Sequence, residues 1–263
     1  MLGTPSSTPD PLRLPSASKA FSLGYQVPSG KILNSPVVAS GEKVFCAIVA
    51  GDSMGGNYHQ TAYAATHPTK VENFSVYDGS LYRAVKPLIG AGKFDAPSDG
   101  NWQIECGDRL IDSTKYDRTI WATVSIGGTL VSEWEGDLNA SIVVAARRLI
   151  ALGITPTCII MQVGANDRTI TKADYKASAK SIVSKVRAAG VSLPWFWPKS
   201  TWVLTGALPN IRTAIDELVA EDSAIKLGPD LDGITGRFDS VHYNSTGASD
   251  AATLYATTIG SSF

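Results

Sequence analysis

Four short apolar runs, each stopped by glycine, constrain this chain more than any other feature. Val44-Phe-Cys-Ala-Ile-Val-Ala50 runs into Gly51, and Thr119-Ile-Trp-Ala-Thr-Val-Ser-Ile126 runs into Gly127-Gly128. Cys158-Ile-Ile-Met-Gln-Val163 ends at Gly164, and Thr201-Trp-Val-Leu-Thr205 ends at Gly206. Runs this short and this continuous read as strands buried on both faces, the environment of a parallel sheet. Elsewhere the apolar period becomes helical. Tyr175, Ala179, Ile182, Val183 and Val186 make one stripe, and Ile211, Ile215, Leu218 and Val219 make a second. Ala251, Leu254, Tyr255 and Ile259 make a third, while Asn139–Leu152 is apolar nearly all round. Strands alternating with helices predict an α/β fold: a three-layer α/β/α sandwich around a central parallel sheet.

The flanks of this pattern differ from it. Residues 1–40, with Pro5, Pro9, Pro11 and Pro15 near the start, read as an extended arm or linker. Residues 41–263 read as the folded domain, with the Gly-, Pro- and Asp-rich stretch 55–117 as an irregular insertion. At 263 residues, 44% of them hydrophobic, the chain is long enough for one large α/β core or two small domains.

Composition also removes function classes. Lysine and arginine total 23 against 24 acidic residues, without the basic excess that phosphate neutralisation requires, so no nucleic-acid partner is expected. No apolar run approaches the roughly 20 residues of a membrane span. Cys46, Cys106 and Cys158 are odd in number and lack metal-ligand spacing, so neither a disulfide framework nor a metal site is expected. Met1–Ser18 lacks the basic start and apolar middle of a secretory signal. Compartment stays open, a secreted protein or part of a larger extracellular or virion-associated one being compatible with the sequence.

Chemistry-bearing residues gather at the ends of the apolar runs. In a doubly wound sheet, ligands bind beyond the carboxyl ends of the strands. Gly51-Asp52-Ser53 follows the first run, where Gly51 permits a sharp turn and Ser53 faces that crevice; a helix cap is the plainer use of Asp52 or Ser53. Asp239-Ser-Val-His242 places a carboxylate one turn from an imidazole, close enough to hold Nδ1–H while Nε2 takes a proton. A surface ion pair is the alternative. Gly128 after the second run and Asn166 after the third can supply a backbone and an amide donor to an oxyanion. Each has an ordinary structural use, and their joint placement along one sheet edge is the stronger signal.

Gly51-Asp52-Ser53, Gly128, Gly164-Ala-Asn166 and Asp239-x-x-His242, in that order, resemble the four blocks of the SGNH (GDSL-type) hydrolases over residues 43–262. Gly127-Gly-Thr-Leu-Val-Ser-Glu-Trp134 and Asp239-Ser-Val-His-Tyr-Asn244 are similar to the sialate O-acetylesterase and acetylxylan-esterase-like branch. One departure is Gln162-Val-Gly-Ala-Asn166, where that branch commonly has Gln-Gly-Glu. The resemblance implies Ser53 as nucleophile, His242 as base and acid, and Asp239 as its partner. Ser53 N–H, Gly128 N–H and the Asn166 amide would form the oxyanion hole, with no cofactor. It further implies a small-molecule or glycan ester substrate, most simply a short acyl group on a carbohydrate hydroxyl. Asp52, Trp134 and Arg168 are candidate substrate contacts beside these blocks, with a core position the equal alternative for Trp134 and a plain surface charge for Arg168.

Three other readings compete. A general short-chain esterase, lipase or thioesterase would use the same residues on a non-carbohydrate ester. Gly51-Asp-Ser-Met-Gly55 also satisfies the nucleophile-elbow pattern of α/β-hydrolases, but too little foldable chain precedes Ser53 for that fold. A non-catalytic glycan-binding module could use Trp195-Phe-Trp197 as a stacking platform, though such a cluster more often belongs to a core or a cleft wall.

Overall fold

The computed structural model describes residues 24–61 and 63–263. Seven strands form one sheet: β1 Val44–Gly51, β2 Val71–Phe74, β3 Leu81–Arg83, β4 Arg118–Thr123, β5 Cys158–Gln162, β6 Trp195–Lys199 and β7 Ile225–Asp230. Their order is β3-β2-β4-β1-β5-β6-β7. All neighbours are parallel except β3, which runs antiparallel to β2. The long helices are α1 Gln103–Asp112, α2 Asn139–Ala151, α3 Lys172–Ala188, α4 Pro209–Glu221 and α5 Ser245–Ser262.

β1 shows why the sheet needs a layer on each side. Cys46, Ile48 and Ala50 belong to one core with Ile142 of α2, Ile182 of α3 and Ile215 of α4. Phe45, Ala47 and Val49 belong to a second core with Ile104 of α1 and Tyr255 of α5. Alternate residues of one strand thus face opposite helical layers, so β1 has no polar face in its sequence. The fold is the α/β/α sandwich that the sequence implies.

The expected fourth strand falls elsewhere. β6 is Trp195–Lys199, and Thr201–Thr205 is a turn. Asp232 diverts the latter from the ladder, accepting Thr201 N–H at 2.6 Å, Thr201 Oγ1–H at 2.7 Å and Trp202 N–H at 2.9 Å. Trp195, Phe196 and Trp197 are therefore core side chains, fully buried, and make no stacking platform.

The stretch 55–117, irregular over much of its length, is nonetheless built into the fold. It supplies β2, β3 and α1 to the sheet and its covering layer. Of the expected arm, residues 1–23 lie outside the described residues. Residues 24–40 turn at Ser29-Gly30 and meet the sheet edge around Leu33, with Asn34 N–H donating to Leu81 O and Arg83 N–H to Ile32 O, each at 2.9 Å. Arg118, ion-paired with buried Glu72, also donates to Ser35 O and Val37 O, anchoring this strap from beneath.

Candidate active site

The site begins where β1 and β5 end together. Gly51 has φ +128°, and a Cβ there would lie 1.9 Å from Gln162 O. Only glycine lets the two strand tips meet this closely and the chain then turn. Asp52 follows in extended conformation and accepts Met54 N–H at 2.9 Å, capping the one-turn helix Ser53–Gly55. Ser53 is thereby held at the carboxyl edge of the sheet with 6% of its surface exposed.

A loop 189 positions away meets it. Ser53 Oγ and His242 Nε2 are 2.8 Å apart, and His242 Nδ1 lies 2.6 Å from Asp239 Oδ2. Asp239 Oδ1 accepts Val241 N–H at 3.1 Å and His242 N–H at 2.7 Å, so the carboxylate orients ring and backbone together. Ser240, at φ +65°, makes the tight reversal between them. Burial pushes the Asp239 carboxyl up, but hydrogen bonds from the His242 ring and the loop backbone outweigh it and hold the group below the usual carboxylate range. With Asp239 ionised, the favoured tautomer carries its proton on Nδ1 and turns the Nε2 lone pair to Ser53 O–H.

Gly128 and Asn166 come to the same edge. Gly128 has φ +74°, which suits glycine, and follows Gly127, whose N–H donates to Tyr58 Oη at 3.0 Å. Asn166 Nδ2 donates to Thr129 O at 3.4 Å, placing its amide against the Gly128 loop. Two buried carboxyls lie behind these donors. Asp52 Oδ2 accepts Gly164 N–H and Ala165 N–H at 3.3 Å, bracing the chain that leads to Asn166. Asp167 accepts Val131 N–H at 3.1 Å, bracing the chain that leaves Gly128. Burial pushes Asp52 up to about 7 and Asp167 up to about 6, against the pull of these backbone donors.

Of the three expected substrate contacts, two lie out of a substrate's reach and the third, Arg168, is on the surface. Asp52 is fully buried and its hydrogen bonds go to backbone, so it positions the loops and does not touch a substrate. Trp134 is also fully buried; its Nε1–H donates to Thr129 Oγ1 at 3.0 Å from within the core, and it forms no cleft wall. Arg168 is exposed, and no hydrogen bond or ion pair among the described residues ties it to the triad.

Sequence reasoning missed the aromatic surroundings of His242. The Tyr58 ring stacks on His242 at 5.8 Å, and Phe94 meets it edge-on at 5.0 Å. Phe238 lies 6.1 Å away. Tyr58 and Phe94 come from the stretch 55–117, where no periodicity marks them; the nearness of Tyr58 to Ser53 in the chain was the one available signal. The cysteines offer no rival nucleophile, since Cys46, Cys106 and Cys158 are buried and free, and burial pushes their thiols up. Among the described residues, no three His, Cys, Asp or Glu side chains converge to hold a metal ion. No helix of the described residues is long and apolar enough to cross a membrane.

No protein-family model matches the sequence, and no curated protein matches it. Similarity is found among solved structures. A protein of Arabidopsis thaliana superposes with TM-score 0.69 at 15% identity, over 84% of this chain and 99% of that one. A Parabacteroides merdae protein described as a putative GDSL-like lipase matches with TM-score 0.53 at 12% identity, over 87% and 99%. A carbohydrate esterase family 2 enzyme of Myceliophthora fergusii, which carries a carbohydrate-binding domain, matches with TM-score 0.55 at 12% identity, over 86% and 68%. Together with the strand order and helical layers, these likenesses show a shared fold, an α/β/α sandwich around a mostly parallel sheet.

Proposed function

We propose that this chain is a serine esterase that hydrolyses short acyl esters, acetyl foremost, on carbohydrate hydroxyls. The observation that carries the reading is the unbroken relay Asp239–His242–Ser53, with links of 2.6 and 2.8 Å, beside Gly128 and Asn166. A surface ion pair would have no reason to aim Nε2 at a serine from so distant a part of the chain. The acetyl-carbohydrate choice draws support from the sequence blocks Gly127–Trp134 and Asp239–Asn244 and from likeness to the family 2 carbohydrate esterase.

In this mechanism Ser53 Oγ attacks the ester carbonyl carbon as its proton passes to His242 Nε2. The carbonyl π-bond electrons move to oxygen, and Ser53 N–H, Gly128 N–H and Asn166 Nδ2–H stabilise the resulting oxyanion. Such a donor is worth about 3–4 kcal/mol because it is fixed before charge develops. Collapse breaks the bond to the alcohol oxygen, which takes the proton from His242 and leaves acyl-Ser53. Water, deprotonated by His242, then attacks that ester and releases the acid. Ionised Asp239 stabilises the imidazolium in both halves.

The test is a p-nitrophenyl ester series from acetyl to octanoyl on wild type and Ser53→Ala, followed by acetylated sugars. Expected is turnover of acetyl that falls by butyryl, vanishes in Ser53→Ala, and extends to an acetylated sugar. Equal or faster turnover of octanoyl would redirect the reading to a general lipase or thioesterase. A folded wild type inert on every ester would remove it.

A further inference from the structure

We propose that His59 is a positioning residue for the His242 base, a hydrogen-bonded link that sets the distance between the turn carrying Ser53 and the loop carrying His242. This rests on the esterase reading above. His59 is fully buried. Its Nε2 lies 3.1 Å from Met54 O, and its Nδ1 lies 3.1 Å from Tyr243 N. A carbonyl oxygen can only accept and a backbone N–H can only donate, so the ring carries its proton on Nε2 and a lone pair on Nδ1. Met54 directly follows Ser53 and Tyr243 directly follows His242. One imidazole therefore grips the chain a single residue beyond each half of the proton-transfer pair.

The surroundings fix that ring and leave it little else to do. Its backbone exchanges two hydrogen bonds with Gly100, at 3.0 and 2.8 Å, and its ring stacks on Tyr243 at 4.7 Å. Gln60 N–H donates to Tyr243 O at 2.9 Å, so both peptide groups of Tyr243 are held by consecutive residues. Asp239 sets the orientation of the His242 ring, but it sits on the same loop and cannot set how far that loop stands from Ser53. His59 spans that gap. Its ring centroid lies 6.2 Å from that of His242, where a second positive charge would oppose the imidazolium formed in catalysis. Burial lowers its pKa to about 3, with repulsion from His242 adding to the effect, so the ring stays neutral.

The test compares His59→Leu, which fills the space without polar atoms, with His59→Gln, a neutral group with one donor and one acceptor. Expected for leucine is a fall in kcat of about 10²-fold with KM nearly unchanged, the cost of a misplaced base. The rate of Ser53 phosphonylation by a fluorophosphonate is expected to fall in parallel, and glutamine to restore most of both. If leucine does not fold, His59→Asn, which keeps one of the two partners, takes its place. Wild-type kcat and phosphonylation in a leucine or asparagine variant with only a lower melting temperature would overturn the proposal. If wild type itself turns over no ester, the esterase reading fails, and imidazole ¹⁵N spectra decide the positioning claim separately. A His242 signal and titration altered by leucine and restored by glutamine support it; a His242 signal indifferent to His59 overturns it.

Discussion

The two halves of the candidate site are built in different ways. The half that would hold the oxyanion, with Ser53, Gly128 and Asn166, is braced from behind by the buried carboxyls of Asp52 and Asp167. Asp52 joins chain segments 112 and 113 positions apart. The half that would supply the base is a surface loop whose order is mostly local. Asp239 bonds residues two and three positions on, and Arg237 donates to the carbonyls of Leu231, Ile234 and Val241. One half owes its shape to buried carboxyls that join distant strand ends, the other to side chains of its own loop, with His59 and Gln60 holding that loop to the rest through Tyr243.

The largest effects are expected where that local half is cut. His242→Ala is expected to lower kcat by about 10⁶-fold, since a nucleophile without its base loses nearly all assisted attack. Asp239→Asn is expected to cost about 10⁴-fold by favouring the wrong tautomer, with the melting temperature little changed. A loss under tenfold, read from steady-state kinetics, would mean that another group orients His242.

The braced half is expected to respond less steeply to loss of one donor. Asn166→Ala is expected to lower kcat by about 10²–10³-fold while Gly128 and Ser53 N–H remain. Equal turnover by variant and wild type would take Asn166 out of the site.

The halves are also expected to differ in sign with pH. Asp52 and Asp167 have folded pKa values of about 7 and 6, above the ordinary carboxylate value, so the native state binds their protons more tightly than the unfolded chain. Their stabilising contribution is complete below about pH 4 and is lost as pH rises through 6 and 7. Asp239 is lowered, so its contribution is present above the ordinary carboxylate value and is lost as pH falls through the depressed one. Urea unfolding from pH 3 to 8 measures both. Asp52→Asn/Asp167→Asn is expected to flatten the decline between pH 4 and 7 relative to wild type, and Asp239→Asn to flatten the acid limb. An unchanged decline in the double variant would contradict the burial argument.

The smallest effect is expected at Arg168. Arg168→Ala, on the exposed side of the braced half, is expected to leave stability within about 0.5 kcal/mol and kcat/KM unaltered. A tenfold rise in KM for an acidic sugar ester would restore it as a substrate contact.

How much was legible in the sequence follows the same division of local from long-range order. β1, β4 and β5 announce themselves because strands buried on both faces must be apolar throughout, and the glycines behind them mark the edge where Ser53, Gly128 and Asn166 gather. Asp239 and His242 are legible because their contact is made within one turn. The capping use of Asp52 was legible too, but not its bracing of Gly164 and Ala165, distant backbone amides that leave no mark in composition. β2 and β3 are only four and three residues long, too short to show a period. Pro198 masked β6, which shifts register between Trp197 and Lys199, while the β-rich Thr201–Thr205 drew the assignment. Trp134 illustrates the remaining ambiguity: the same aromatic residue beside a glycine loop serves either a cleft or a core, and only burial decides.

The most direct measurement is peptide mapping after treatment with a fluorophosphonate, on wild type, Ser53→Ala and His242→Ala. The expected result is one adduct per chain, on Ser53, absent in Ser53→Ala and formed far more slowly in His242→Ala. A stoichiometric adduct on another residue, or equal labelling of Ser53 with and without His242, would contradict a Ser53–His242 nucleophile pair.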